Sequence, residues 1–194
     1  MARAIQKRTL QTRARLIEAA EQVISEQGFE ALRVEEVVLR AGTAKGTFFA
    51  HFKDKDALLS LLLGARLHAI LDAMQQGPAP ATLDAVIDAL MPLCDLMTCE
   101  RYVFDLLMRY SGATAIEEVG PIAESFGRQI EVFDAWLQQA NFRTDVSTEL
   151  QAEGIQAFLL QAMAAKFCAL HNSTSVRERL MVYLEAWLMP KASE

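Results

Sequence analysis

The residues best suited to contact a partner are Lys45, Gly46 and Thr47, which stand at the expected start of a short helix. They supply a cation, a backbone that a large ligand can approach closely, and a hydroxyl. The unpaired N–H groups and the positive dipole end of such a helix also favour phosphate oxygens. Phe49 and Phe52 follow where they would anchor the other side of the helix in a core. This group indicates a phosphate-bearing partner.

A glycine turn positions that helix. Apolar residues at helical spacing within 34–38 mark one short helix, which ends at Ala41-Gly42. The next helix is expected from about Ala44 to His51. Two short helices joined by a glycine turn form a helix-turn-helix, whose second helix enters the DNA major groove. We therefore predict this motif at about residues 33–52.

The remaining chain has helical periodicity almost throughout. A first helix is expected from near Leu10 to Gly28, and Asp54 is expected to cap a long fourth helix. After a break at Gly77-Pro78-Ala79-Pro80, helical stretches are predicted at 82–98, 101–111, 116–140, 148–171 and 175–189, with Gly120-Pro121 kinking or splitting the third. The prediction is an all-α protein. It comprises an N-terminal three-helix helix-turn-helix domain (1–66) and a larger helical bundle (67–194).

The charge distribution agrees with this division. The net charge of −6 argues against a nucleic-acid partner for the chain as a whole. Residues 1–66, however, hold 11 Lys/Arg against 8 Asp/Glu, whereas residues 67–194 hold 8 against 17. Residues 1–15 carry five bases and no acid, which fits either a phosphate-contacting arm or a solubilising tail.

Several other classes of site and location find no support. Cys94, Cys99 and Cys168 lack C-x-x-C spacing, so we expect inert buried thiols rather than a disulfide or a metal site. His68 and His171 lie too far apart in sequence to suggest a ligand pair. No catalytic motif or cofactor motif is recognisable. No apolar run is expected to cross a bilayer and no secretory signal is seen, which predicts a cytoplasmic protein without a membrane partner.

Residues 41–58, A-G-T-A-K-G-T-F-F-A-H-F-K-D-K-D-A-L, resemble the signature of the TetR family of bacterial regulators, with G-F-E-A-L upstream. The resemblance covers about the first 60 residues, from Thr12 to Leu59. It implies a positioning helix at 34–41 and a recognition helix at 45–51. The resemblance also implies that Thr43, Lys45, Thr47 and Phe48 face the groove, while His51 and Lys55 meet phosphates.

Three places depart from the family pattern. Leu32 and Arg33 stand where a capping Thr or Ser is frequent, Ala44 replaces a frequent Ser, and Phe49 replaces a frequent Tyr. The last change removes a hydroxyl able to reach phosphate. Arg33 is expected to offset these losses with its own charge, so we include it among the DNA-binding residues.

The second domain is rich in Met and Phe, which suit an adaptable apolar pocket but equally a plain core. The resemblance implies that the middle helices enclose an effector pocket and that the last two long helices pair two subunits. The predicted pocket residues are Met97, Arg101, Phe104, Met108, Arg109, Phe126 and Phe133, with the arginines orienting a polar end. The predicted dimer interface contains Phe158, Ala162, Ala165, Leu184 and Trp187.

The predicted function is a homodimeric, ligand-responsive repressor of a palindromic double-stranded operator, with a small apolar or amphipathic effector. Two alternatives stay open. One is a helical enzyme or carrier with a coincidental motif, and the other is an architectural DNA binder without effector control.

Overall fold

The computed structural model describes residues 2–112, 119–140, 142–170 and 173–189, which contain helices and no strand. The helices are α1 (Ala2–Gln27), α2 (Val34–Arg40), α3 (Lys45–Phe49), α4 (Lys55–Gln76), α5 (Leu83–Met97), α6 (Arg101–Tyr110), α7 (Pro121–Leu137), α8 (Thr148–Lys166) and α9 (Val176–Leu188). The all-α prediction is confirmed.

Helices α1 to α3 and the first turns of α4 form a small unit, called the head below. Leu16 and Val23 of α1 and Val37 of α2 are fully buried in it. Gly28 and Gly42 end α1 and α2 with φ of +88° and +60°, the left-handed conformation that glycine adopts without a steric penalty. These two turns were predicted. Helix α1 starts earlier than the predicted Leu10, so the basic N-terminal residues lie on a helix.

Helix α4 joins the head to the rest of the protein. Its first half buries Leu58 and Leu62, and its second half buries Leu67 and Leu71. The predicted division between residues 66 and 67 falls inside this helix and stays a prediction. Helix α4 packs mainly on α7, and Gly64 permits a close approach of the two helices, since a Cβ there would overlap Pro121.

The helix boundaries follow local signals. The carboxylate of Asp54 accepts a hydrogen bond from the Ala57 N–H at 2.8 Å, which confirms the predicted cap of α4. Helix α7 begins at Pro121 rather than at 116, because proline suits the first position of a helix. Residues 116–118 of that predicted stretch, and His171, lie outside the described residues. Helix α8 ends at Lys166, five residues before its predicted end.

Helix α4 is long and apolar enough, by length and composition, to cross a membrane, contrary to the expectation from sequence. Half of the relevant segment is buried among the other helices, as in the core helix of a globular protein.

The three cysteines are free: Cys94 is buried, Cys168 is half-buried and Cys99 is exposed, so burial was wrongly expected for Cys99. Burial raises the pKa of the Cys94 thiol to about 12, which keeps it protonated at neutral pH.

Candidate nucleic-acid interface

Helix α3 presents an outward face suited to a groove. Ala44 precedes it in extended conformation, and its carbonyl accepts the first intrahelical bond from the Thr47 N–H at 2.9 Å. Lys45, Gly46 and Phe49 are exposed on α3, and Lys53 is exposed in the turn that follows. A cation therefore stands at each end of the helix. Lys53 was not among the DNA-binding residues predicted from sequence. Its position directly after the predicted recognition helix is the signal that could have identified it.

The prediction that Phe48 faces the groove is wrong. Its side chain is fully buried, and its ring lies 5.4 Å from the Phe49 ring and 5.5 Å from the Phe52 ring. Phe49, which was expected to anchor the helix, is 49% exposed. The two phenylalanines exchange roles because the head core lies on the Phe48–Phe52 side of α3. Phe49 is the aromatic ring available to a partner.

The other predicted groove and phosphate residues around α3 are partly covered. The Thr43 hydroxyl is buried and has no hydrogen-bond partner among the described residues, so the prediction that it faces the groove is wrong. Thr47 and His51 are half-buried. The His51 carbonyl accepts from the Arg13 guanidinium at 3.0 Å, and that guanidinium lies 4.4 Å from the Phe52 ring centre. Arg13 thus fastens the end of α3 to α1.

Arg33 and Lys55 stand at the starts of α2 and α4. The Arg33 guanidinium donates to the carbonyls of Glu30 and Leu32, at 2.6 and 3.0 Å. The Lys55 ammonium lies 4.5 Å above the Tyr102 ring of α6. Burial lowers the pKa of Lys55, and the nearby charge of Arg33 lowers it further. Two cations are therefore close together here, and their contact with phosphate stays a prediction.

The head is held to α6 at two points. The Glu100 carboxylate, at the N-terminus of α6, accepts from the N–H groups of Phe29 and Glu30 at 2.7 and 2.8 Å. On α4, the Asp56 carboxylate accepts from the Tyr102 hydroxyl and pairs with Arg109, both at 3.0 Å. Sequence reasoning missed Glu100 and Asp56, because their partners lie 46 to 71 residues away along the chain.

The residues predicted to line an effector pocket mostly pack elsewhere. Met97, Phe104, Phe126 and Phe133 are buried in the core, and Met108 is half-buried. Arg101 and Arg109 lie on the outer surface of α6, 61% and 62% exposed, and pair with Asp105 and Asp56. The prediction that these arginines orient a ligand inside a pocket is wrong.

An apolar cleft of about 350 Å³, open to solvent and called the cavity below, lies instead between α4, α5 and α7. Its lining is Ile70, Ala73, Met74, Gly77, Pro78, Ala89, Pro92 and Trp136. Pro92 lies inside α5, where its missing N–H leaves the carbonyl one turn earlier without its usual helical donor.

The predicted dimer residues divide into two groups. Ala162, Ala165 and Leu184 are buried inside the protomer, so their side chains are not available to a partner and that part of the prediction is wrong. Phe158 and Trp187 are half-buried, and the Trp187 indole N–H donates to the Gln151 carbonyl of the same chain at 3.0 Å. Helices α8 and α9 expose a different set, called the outer face below: Ala157, Gln161, Ala164, Val182 and Ala186.

Comparison with known proteins supports the sequence resemblance. A family model described as bacterial regulatory proteins of the tetR family matches residues 16–62, which span the helix-turn-helix. An uncharacterized HTH-type transcriptional regulator of Bacillus subtilis, YvdT, is 34% identical over 100 residues. That match covers 50% of each protein, so the chain spans about half the length of this curated relative.

Two solved structures share the fold over nearly the whole chain. FadR of Thermus thermophilus, a TetR-family repressor in complex with lauroyl-CoA, has a TM-score of 0.62 and 19% identity, and the match covers 94% of this chain and 98% of FadR. FadR of Bacillus subtilis, in complex with stearoyl-CoA, has a TM-score of 0.60 and 16% identity, covering 91% and 97%. The family match is confined to the helix-turn-helix segment, and the two solved structures share the overall helical fold of this chain.

Proposed function

We propose that this protein is a DNA-binding transcriptional regulator that acts in the cytoplasm as a homodimeric, ligand-responsive repressor. The observation that carries the proposal is the exposed face of α3, with Lys45 at its start, Phe49 on its outward side and Lys53 just beyond its end. Cations at both ends suit the two phosphate backbones that border a major groove, and Phe49 suits an apolar contact such as a thymine methyl group.

The outer face of α8 and α9 supports pairing with a second copy. Val182 is 65% exposed on it, and small residues at 157, 164 and 186 permit close approach of another helix. A groove between the two helices, lined by Gln161, Ala164 and Tyr183 among others, offers a concave surface to the partner. Two copies related by a two-fold axis would present two heads to a palindromic operator.

The apolar cavity between α4, α5 and α7 is the best-supported effector site among the described residues. Its volume falls in the range of small-ligand pockets, about 300–1,000 Å³. The TetR-family FadR of Thermus thermophilus was solved with lauroyl-CoA, and its counterpart from Bacillus subtilis with stearoyl-CoA. Because the walls of this cavity are apolar, we infer an apolar or amphipathic effector.

Helix α4 supports a mechanical connection between cavity and head. Ile70 and Met74 line the cavity near its end, whereas Leu58 and Leu62 pack in the head near its start. A ligand that shifts α4 must therefore also move the head or break its packing. The effector would act by favouring a spacing of the two heads that no longer fits adjacent major grooves.

The experiment is a gel shift of the promoter beside the protein's own gene, with and without apolar ligands such as fatty acyl thioesters. Specific retardation that the ligand reverses is the expected result. Retardation without any ligand effect would favour the architectural DNA binder, and failure to bind DNA would favour the helical enzyme or carrier. Lys45→Ala provides the control, since it removes an exposed charge without disturbing the core.

A further inference from the structure

One acidic residue, Glu35 in the first turn of α2, is in contact with the recognition helix. Its carboxylate forms an ion pair with the Lys45 ammonium at 2.5 Å. The two side chains are 67% and 56% exposed, so the pair lies on the surface expected to meet DNA. Neither side chain contributes to the core of the head.

We propose that Glu35 lowers the affinity of this protein for DNA of arbitrary sequence by holding Lys45 away from the phosphates. The inference rests on the proposed function and adds a residue that the motif does not assign. While Lys45 is paired with Glu35, the start of α3 carries no net positive charge. Binding to arbitrary DNA depends on released counterions, and each free cation that meets a phosphate releases about one.

The weakness of the pair makes this control reversible. Ion pairs between exposed side chains contribute little to stability, because water solvates both charges. Lys45 can therefore leave Glu35 where the groove offers strong acceptors, such as O6 and N7 of guanine. In an arbitrary sequence these base acceptors are not added to the attraction of the phosphates, so less interaction energy is available to offset the loss of the Glu35 pair.

Glu36 provides a matched control one residue away. It pairs with Arg40 at 2.7 Å, and Arg40 also pairs with Glu26 at 2.8 Å. Neutralising Glu36 therefore changes the net charge as much as neutralising Glu35 does. It leaves Arg40 paired and leaves the Glu35–Lys45 contact untouched.

The test compares wild type, Glu35→Gln and Glu36→Gln by fluorescence anisotropy on a random-sequence duplex over a series of salt concentrations. Releasing an exposed ion pair should raise the binding constant roughly 1.5- to 5-fold per head, so Glu35→Gln should tighten binding by the dimer roughly 2- to 25-fold. The salt dependence should steepen by about 0.9 per head. Glu36→Gln should show a clearly smaller gain in affinity for the duplex. When Lys45 is also replaced by Gln, Glu35→Gln and Glu36→Gln should have the same effect on affinity.

Thermal melts of all variants should match wild type, because both glutamates are on the surface. Equal gains for Glu35→Gln and Glu36→Gln would overturn the proposal, since net charge alone would then explain them. No gain for Glu35→Gln would overturn it as well. If wild type binds no duplex even at low salt, the proposed function itself fails; in the other two cases wild type binds and only the role of Glu35 is lost.

Discussion

Replacing Phe48 and Phe49 in turn by alanine is expected to separate stability from DNA binding. Phe48 is fully buried against two other rings, and loss of a buried phenylalanine costs about 3–5 kcal/mol. In a chain of this size each kcal/mol lowers Tm by about 2–4 °C, so Phe48→Ala should lower Tm by roughly 6–20 °C. Phe49 is 49% exposed, so Phe49→Ala removes much less buried surface and should lower Tm by only a few degrees, about 1 kcal/mol or less.

The assay pairs thermal circular dichroism, at one protein concentration, with anisotropy on a duplex that the wild type binds. Phe49→Ala should melt near wild type and bind DNA more weakly, because it removes the exposed ring of α3. Phe48→Ala should bind normally only at temperatures where the head is still folded. A Phe48→Ala protein that melts like wild type but fails to bind DNA would refute this orientation of α3.

Three further predictions test the other surfaces. Ala157→Glu on the outer face should convert dimer to monomer in sedimentation velocity with the far-ultraviolet spectrum unchanged, whereas Ala162→Glu, at a position 1% exposed, should unfold the protein. Ala89→Phe, which fills part of the cavity, should abolish the ligand response in the gel shift and leave operator affinity in place. Glu100→Ala should cost roughly 1–3 kcal/mol in urea unfolding, because the N–H groups of Phe29 and Glu30 lose their acceptor.

Each of these has a clear contrary result. A dimeric Ala157→Glu protein would remove the outer face from the interface. Retention of ligand release by Ala89→Phe would place the effector elsewhere. For Glu100, the control is Glu124→Ala in the first turn of α7, since Glu124 makes no hydrogen bond or ion pair with the described part of the head. Equal losses in the two variants would show that the bonds to the head contribute nothing.

The features predicted correctly from sequence are those specified by neighbouring residues. Gly28 and Gly42 mark left-handed turns because other residues pay a steric penalty there, and Asp54 caps α4 through an N–H three residues away. The helix-turn-helix follows from these signals together. The orientation of α3 did not follow, since a five-residue helix is too short for periodicity to distinguish the side of Phe48 from that of Phe49.

The second half of the chain shows the same limit. Helix α8 is apolar on several sides, so the sequence could not distinguish Ala162, which faces the core, from Ala157, which faces outward. Phe104 of α6 and Phe126 and Phe133 of α7 were predicted to line a pocket, but they are buried in the core. The Glu100 and Asp56 contacts join residues far apart in sequence, and only the packing of α6 on the head brings them together.

A dimer that contacts DNA with two copies of α3 should select a two-fold symmetric site. The experiment selects sequences from a random duplex library with the purified protein and footprints the selected duplex with hydroxyl radicals. We expect an inverted repeat that is protected symmetrically, with half-sites one helical turn apart, about 10 base pairs, or a multiple of that distance. Lys45→Ala should weaken protection equally at both halves. Selection that enriches no sequence, or a single unpaired site protected without symmetry, would contradict this expectation.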